Sequence, residues 1–390
     1  MTDRSALMHT YLEPKVTFVR GLGTELWDTD GRRYLDFLSG LAVTALGHAH
    51  PKVTEAIANQ AATLVHVSNL FGNVVGPEVA ITLDRLVGDG RRAGGQVFFA
   101  NSGAEANECA LKLARRYAGD GRHVVVCAWD AFHGRTLATL AATGQPAKHA
   151  PFEPLPAGFE HVAFGDLDAL DNAVDPKRVA AVLLEPIQGE AGVVVPSSDY
   201  LGAVRELCSA RGVLLMVDEI QTGLGRSGRW FAFQHAGIEP DVVTMAKALG
   251  NGVPIGACWA RGEVAAAFGP GDHGSTFGGQ PLAAAAARAT LETLEAIDAP
   301  ALAVRAGKRL ADGLLALPNV ASVRGMGLLL GAAVTVDARQ VAQGALDAGL
   351  VINAPRPDTL RLAPPLTVSD AEIDEALGVL EAVLAEGGRS

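Results

Sequence analysis

The sequence has few cysteines, no long apolar run and no excess of positive charge. Four cysteines occur in 390 residues, Cys109, Cys127, Cys208 and Cys258. They lie far apart, with no C-x-x-C pair, which excludes a disulfide scaffold and a thiolate metal site of usual spacing. They read as reduced core residues of a cytoplasmic protein. No run approaches the roughly 20 apolar residues of a membrane span, and residues 1–14 hold no apolar core of signal-peptide length. The ten histidines include no H-E-x-x-H or similar spacing, so no metal site is expected. A net charge of −11 argues against nucleic acid, whose phosphates need a basic face. There is no fixed-period repeat and no low-complexity tract.

What is present is an ordinary globular balance, 49% hydrophobic and 19% charged. Single cores stop growing near about 250–300 residues, so 390 residues predict about two domains. Residues 24–27 and 33–37 predict a small hairpin across Asp30-Gly31, a favoured turn pair. Helices are expected after Pro51 and after Pro77. The middle of the chain alternates. Apolar runs at 96–100, 123–128, 181–184, 213–217, 242–245 and 256–259 read as buried strands, and 104–117 and 200–210 as helices between them. Continuous apolar strands separated by helices predict an α/β fold with a mostly parallel sheet covered on both faces. Past residue 279 the pattern changes to helices at 281–297 and 301–317, with Pro300 between them. A glycine-interrupted β stretch at 320–335, a helix near 338–348, strands at Val351 and Leu360 and a last helix over 370–386 follow. The expected division is an N-terminal segment 1–50 joining a small domain, a large domain 51–278 and a small α+β domain 279–390.

In open α/β sheets ligands bind beyond the carboxyl ends of the strands, and the polar residues of this sequence gather there. Ser102, Gly103 and Ala104 follow one strand and open a helix. Ser102 and Glu105 have capping-box spacing, and the exposed N–H groups beside Gly103 could hold a phosphate. Asp218 ends a wholly apolar strand, where a buried carboxylate needs a partner; a protonated pyridine nitrogen would serve. Lys247 ends the next strand, and a lysine there, its pKa lowered beside a cationic ring, suits imine chemistry. Each feature alone has a bland reading: a helix cap, a paired strand-end carboxylate, an exposed lysine. The combination gains weight because Asp218 and Lys247 terminate consecutive strands and face one crevice. Phe132 could stack on a flat ring, and Arg135 offers a fork for a carboxylate. Gly223-Leu224-Gly225-Arg226-Ser227-Gly228 matches G-x-G-x-x-G, but five residues separate it from its strand and no amphipathic helix follows. A dinucleotide site is not expected there.

These residues together resemble a known family, the class III, ornithine-type aminotransferases, over nearly the whole chain. The likeness runs from Glu25-Leu26-Trp27-Asp28 to Leu360-Arg361-Leu362-Ala363-Pro364-Pro365-Leu366. It is most specific between Val217 and Pro254, with Asp218-Glu219-Ile220-Gln221-Thr222-Gly223 and Lys247-Ala248-Leu249-Gly250. The resemblance implies fold type I with a large and a small domain, pyridoxal 5'-phosphate as cofactor, and a homodimer with shared active sites. By its motifs Lys247 would carry the cofactor, Asp218 would pair with the pyridine nitrogen and Gln221 would sit near the ring hydroxyl. Gly103 and Ala104 would hold the phosphate with Ser102, Phe132 would stack, and Thr276 would reach the phosphate of the other subunit. Ser275 would lie near the substrate, and Arg135 would bind its distal carboxylate. Glu190 and Arg361 would form a switchable pair, Arg361 being released to grip 2-oxoglutarate. Within the family the likeness implies N2-acetylornithine as amino donor and 2-oxoglutarate as acceptor. Succinylornithine, ornithine and 4-aminobutyrate are alternative donors; an aminomutase and a non-catalytic relative are more distant readings. One departure is Gly72 in His66-Val67-Ser68-Asn69-Leu70-Phe71-Gly72-Asn73. Many relatives carry an aromatic there, on a loop that lines the substrate entrance.

Overall fold

The computed structural model describes residues 6–119 and 121–387. Residues 1–5 of the N-terminal segment lie outside the described residues. The largest sheet has seven strands, in the spatial order Gly95–Ala100, Gly256–Arg261, Val242–Met245, Leu214–Asp218, Val179–Leu184, Val124–Ala128 and Phe159–Val162. Neighbours from Val242–Met245 to Phe159–Val162 pair in parallel, and Gly256–Arg261 runs antiparallel to both its neighbours. This is the α/β, mostly parallel sheet that the apolar runs predict.

The three central strands Val124–Ala128, Val179–Leu184 and Leu214–Asp218 are buried at every position, because both faces are covered. Alternate side chains point to opposite faces of a strand. Val124, Val126, Leu215 and Val217 therefore pack with Val204 and Cys208 of the helix Tyr200–Arg211 on one face. Val125, Cys127, Leu214 and Met216 pack with Cys109, Leu111 and Leu113 of the helix Gly103–Ala118 on the other. Each such valine or leucine taken from water contributes roughly 1.5–3 kcal/mol. The sheet is thereby a rigid base for the side chains at its ends.

A second sheet joins Phe18–Leu22, Glu25–Asp28, Arg33–Asp36 and Leu350–Val351, the last pairing in parallel with Leu35 and Asp36. The expected hairpin is present: Asp28 Oδ1 accepts the N–H groups of Asp30 and Arg32 at 3.0 and 2.9 Å, and Gly31 takes φ +80°. Leu350–Val351 ties the start of the chain to its last part. The third sheet orders Val320–Met326, Leu329–Val334, Thr359–Leu362 and Asn353–Arg356. It puts Arg361 on an inner strand. Two boundaries differ from expectation. Pro300 lies inside the first turn of the helix Ala299–Leu315, where its missing N–H costs nothing, and the helix Val75–Val87 begins before Pro77 for the same reason. Among the described residues no helix is long and apolar enough to cross a membrane, and no cluster of three His, Cys, Asp or Glu could hold a metal.

The G-x-G-x-x-G stretch is a structural clasp. Arg226 is fully buried and donates to the carbonyls of Leu328 and Pro364, while its own carbonyl accepts the Leu328 N–H at 2.9 Å. Burial pushes the Arg226 guanidinium down to about 9. A Cβ on Gly327 would lie 2.4 Å from the Arg226 carbonyl oxygen, so the turn between two strands of the third sheet must be glycine to seat here.

Candidate active site

The carboxyl ends of five strands converge on a cavity of about 380 Å³. Each end delivers polar groups. Ser102, Gly103 and Ala104 follow Gly95–Ala100; Phe132 and Arg135 follow Val124–Ala128; Glu185 and Glu190 follow Val179–Leu184. Asp218 and Gln221 come from the next strand, and Lys247 from Val242–Met245. Residues predicted from motifs spread over nearly 150 positions of sequence thus share one wall.

Asp218, 4% exposed, is held on both oxygens. Its Oδ1 accepts the Ile220 N–H at 3.1 Å. Its Oδ2 accepts Asn107 Nδ2 and His133 Nδ1, each at 2.8 Å. The carboxylate as acceptor puts the His133 proton on Nδ1, and His133 Nε2 has no partner among the described residues. Asn107 is fixed in turn, accepting Thr244 Oγ1 at 2.7 Å and donating to the His133 carbonyl at 2.8 Å. Asp218 is therefore aimed by a helix, a loop and a neighbouring strand at once.

Lys247 has the opposite surroundings. It follows its strand with φ +39°, a left-handed backbone that is uncommon for a lysine. Its amine opens into the cavity within a protein enclosure. Burial lowers its pKa; Glu190, Asp218 and Glu185 oppose that shift and Arg361 adds to it. An amine that loses its proton more readily is a better nucleophile.

Ser102 caps the helix Gly103–Ala118, its side chain accepting the Glu105 N–H at 3.2 Å. The return arm of the expected capping box lands one residue early: Glu105 Oε2 accepts Asn101 N–H and Nδ2, at 2.8 and 2.7 Å. The first N–H groups of this 16-residue helix face the cavity at its positive end, an anion-binding geometry. Gly103 is required by a close approach, since a Cβ there would meet Ile220 Cδ1 at 2.7 Å.

Arg361 is 1% exposed and does not reach the cavity wall. Its Nη1 pairs with Glu190 Oε1 at 2.5 Å and donates to the Gly189 carbonyl at 3.2 Å, and Nε donates to Asn353 Oδ1 at 3.1 Å. Nη2 has no partner. Gln221 Oε1 accepts from the same Nη1 at 3.4 Å. Burial alone would raise the Glu190 carboxyl, but Arg361 beside it holds it below the usual range. Arg135 is exposed at the mouth, its guanidinium carbon 5.6 Å from the centre of the Phe132 ring.

Two further expected residues lie off this wall. Ser275 is partly buried beside it, its Oγ accepting Asn101 Nδ2 at 3.2 Å and the Gly278 N–H at 3.0 Å. Thr276 is exposed and does not line the cavity of its own chain. Gly72 lines a separate hollow of about 560 Å³ with Phe71, Phe99 and Ser275. Sequence reasoning missed Glu185, His133, Asn107 and Lys148. Glu185 carried a usable signal, since it ends an apolar strand just as Asp218 does. Full burial raises its carboxyl to about 7, with His133 and Lys247 opposing, and its Oε2 accepts the Phe132 N–H at 3.0 Å.

Comparison with known proteins agrees with this geometry. A family model described as aminotransferase class-III matches residues 7–384. The chain is 51% identical to an acetylornithine aminotransferase of Corynebacterium efficiens over 388 residues, covering 97% of this chain and 95% of that one. It is 50% identical to an acetylornithine aminotransferase of Mycobacterium tuberculosis over 384 residues, covering 98% and 94%. Among solved structures, the ornithine aminotransferase of Toxoplasma gondii superposes with a TM-score of 0.93 at 35% identity, covering 99% and 94%. A second structure of that enzyme is described with partial occupancy of PLP at its active site. The acetylornithine aminotransferase of Elizabethkingia anophelis gives a TM-score of 0.86 at 30% identity, covering 98% and 97%. With matches this long, the chain belongs to the class III aminotransferases.

Proposed function

We propose that the protein moves the terminal amino group of N2-acetyl-L-ornithine to 2-oxoglutarate, yielding N-acetyl-L-glutamate 5-semialdehyde and L-glutamate, a step of arginine biosynthesis, with pyridoxal 5'-phosphate held on Lys247. The observation that carries this reading is one cavity in which a pKa-lowered lysine and a fixed carboxylate stand together, while Arg361 is masked by Glu190 and Arg135 is open. Identity of 50–51% over nearly the full length to enzymes of that name supports the donor.

The chain's own groups fit the cofactor. The start of the helix Gly103–Ala118 offers N–H groups and Ser102 to a phosphate, and Gly103 lets the Ile220 side chain pack against that helix start. Asp218 offers its carboxylate to a pyridine N–H. Gln221 would take the ring hydroxyl and Phe132 the ring face, and both line the cavity, Phe132 with its N–H held by Glu185. Pyridoxal phosphate supplies an electron sink for the carbon that loses its proton. The rest falls to the protein. Lys247 holds the cofactor and then moves a proton between two carbons. Asp218 keeps the pyridine nitrogen protonated. His133 and Asn107 keep Asp218 oriented. Arg135 grips the carboxylate of the donor, which lies far from the reacting amine. Glu190 neutralises Arg361 meanwhile, and releases it for the carboxylate that 2-oxoglutarate places close to the reacting carbon.

The reading includes a homodimer in which Thr276 of one copy serves the phosphate site of the other, with Ser275 near the substrate. Exposed Thr276 and Phe277 beside exposed Leu70, Phe71 and Val74 support it, because apolar groups gathered at a surface mark an interface. A cytoplasmic setting is supported by four free, buried thiols. The three-part division at residues 50 and 278 belongs to the same reading.

Rates on N-acetylornithine, succinylornithine, ornithine and 4-aminobutyrate with 2-oxoglutarate as common acceptor test the donor. N-Acetylornithine has the highest kcat/KM if the reading holds; a tenfold preference for another amine replaces the donor. Glu190→Ala unmasks Arg361 and raises reaction through α-amino groups by about 10-fold, the scale of one lost ion-pair preference. An unchanged ratio of α- to terminal-amine turnover contradicts the switch.

A further inference from the structure

Glu190 must go somewhere when Arg361 leaves it. In this structure its carboxylate is paired with Arg361 and is only partly exposed, so release would leave a partly desolvated charge without its partner. Three cations act on its carboxylate. Arg361 is the one that leaves, and Lys247 carries the proton at the reacting carbon on the reading above. The third has no assigned work.

That third cation is Lys148, at the end of the short helix Pro146–His149. Its ammonium lies 5.1 Å from the centre of the Phe132 ring, the ring that Arg135 also approaches. It is half-buried. Burial and the Arg135 charge lower its pKa, and the attraction that opposes them comes from Glu190. Seen from Glu190, Lys148 is again among the cations that hold its carboxyl ionised, after Arg361 and Lys247. A cation on a long flexible stem, with three donors and no carboxylate bonded to it, can follow a moving acid.

We propose that Lys148 is the second seat of Glu190: when Arg361 turns to an acceptor carboxylate, Glu190 swings to Lys148. Lys148 is then a positioning residue. It touches neither substrate nor cofactor, and it makes the released position of Glu190 stable enough for Arg361 to be free. This rests on the Glu190–Arg361 exchange proposed above, and it goes further by naming where the acid goes.

The test is equilibrium binding of glutarate, an unreactive five-carbon dicarboxylate, to the cofactor-loaded enzyme by calorimetry. Lys148→Met keeps most of the stem and removes the charge. It weakens glutarate by about 10-fold, the scale of one ion pair, and Lys148→Arg restores binding to within about threefold. In a Glu190→Gln background Lys148→Met has no further effect, because there is no acid to receive. Glu190→Gln alone tightens glutarate. Loss of binding that persists in the Glu190→Gln background overturns the proposal and makes Lys148 a direct ligand of the dicarboxylate. Unchanged binding in Lys148→Met overturns it as well. If Glu190→Gln alone leaves glutarate binding unchanged, the exchange itself fails and Lys148 loses its role with it.

Discussion

Lys247→Ala reduces transamination by at least about 10⁴-fold, the upper range for a group that transfers protons, since the same side chain also anchors the cofactor. The expectation follows from where the amine stands. It is the amine that the cavity encloses at the end of Val242–Met245, and burial favours its neutral form. Alanine keeps the Cβ, so the left-handed backbone at Lys247 is no more strained than with lysine, and loss of fold is not the expected cause. Two controls separate chemistry from collapse. A small primary amine added to the variant restores part of the proton transfer, and Lys247→Arg does not rescue, because guanidinium stays charged. Steady-state rates with and without added amine check both. Activity within tenfold of the parent would remove Lys247 from the mechanism.

Asp218→Asn is the second large effect, about 10²–10³-fold in kcat/KM, the usual scale for removing one preorganised charge from a reacting centre. The substitution is nearly isosteric, but the hydrogen bonds make it unforgiving. Both carboxylate oxygens accept from protein donors, Oδ1 from Ile220 N–H and Oδ2 from Asn107 and His133. An amide has one acceptor and one donor end. In either orientation its NH₂ meets a donor, which leaves a buried group unsatisfied at about 1–3 kcal/mol. A thermal melt separates that cost from the catalytic one. The account expects a modest loss of stability with a large loss of rate. A melt that falls far while the rate of the folded fraction stays near the parent would make Asp218 a structural residue.

The parts of the site that the sequence announced share one physical signature. Asp218 and Lys247 are charged residues placed where wholly apolar strands stop, and a charge there must have a reason. Gly103 and Ser102 carry a helix start within their own neighbourhood. Glu185 directly follows a wholly apolar strand much as Asp218 ends one, but its role shows only in its burial and its bond to the Phe132 N–H. His133, Asn107 and Lys148 could not be found this way. Their significance lies in contacts made across the fold, such as Asn107 with Asp218, 111 positions apart. The Arg361–Glu190 pair spans 171 positions and came from family resemblance alone. In the fold, the buried central strands were legible and the edges were not. Phe18–Leu22 is largely exposed and broken by Arg20 and Gly21, and Phe159–Val162 carries Glu160 and His161 on an outer strand, so neither shows an apolar run.

The most direct test is the absorbance spectrum of the purified protein, loaded with pyridoxal phosphate, before and after addition of N-acetylornithine without any acceptor. The account predicts a visible band from cofactor bound at Lys247, absent in Lys247→Ala, that moves to the near ultraviolet as the cofactor takes up the amino group. Adding 2-oxoglutarate then returns it. A visible band that N-acetylornithine leaves unmoved would contradict the donor, and no band at all in the parent protein would contradict the central role given to Lys247.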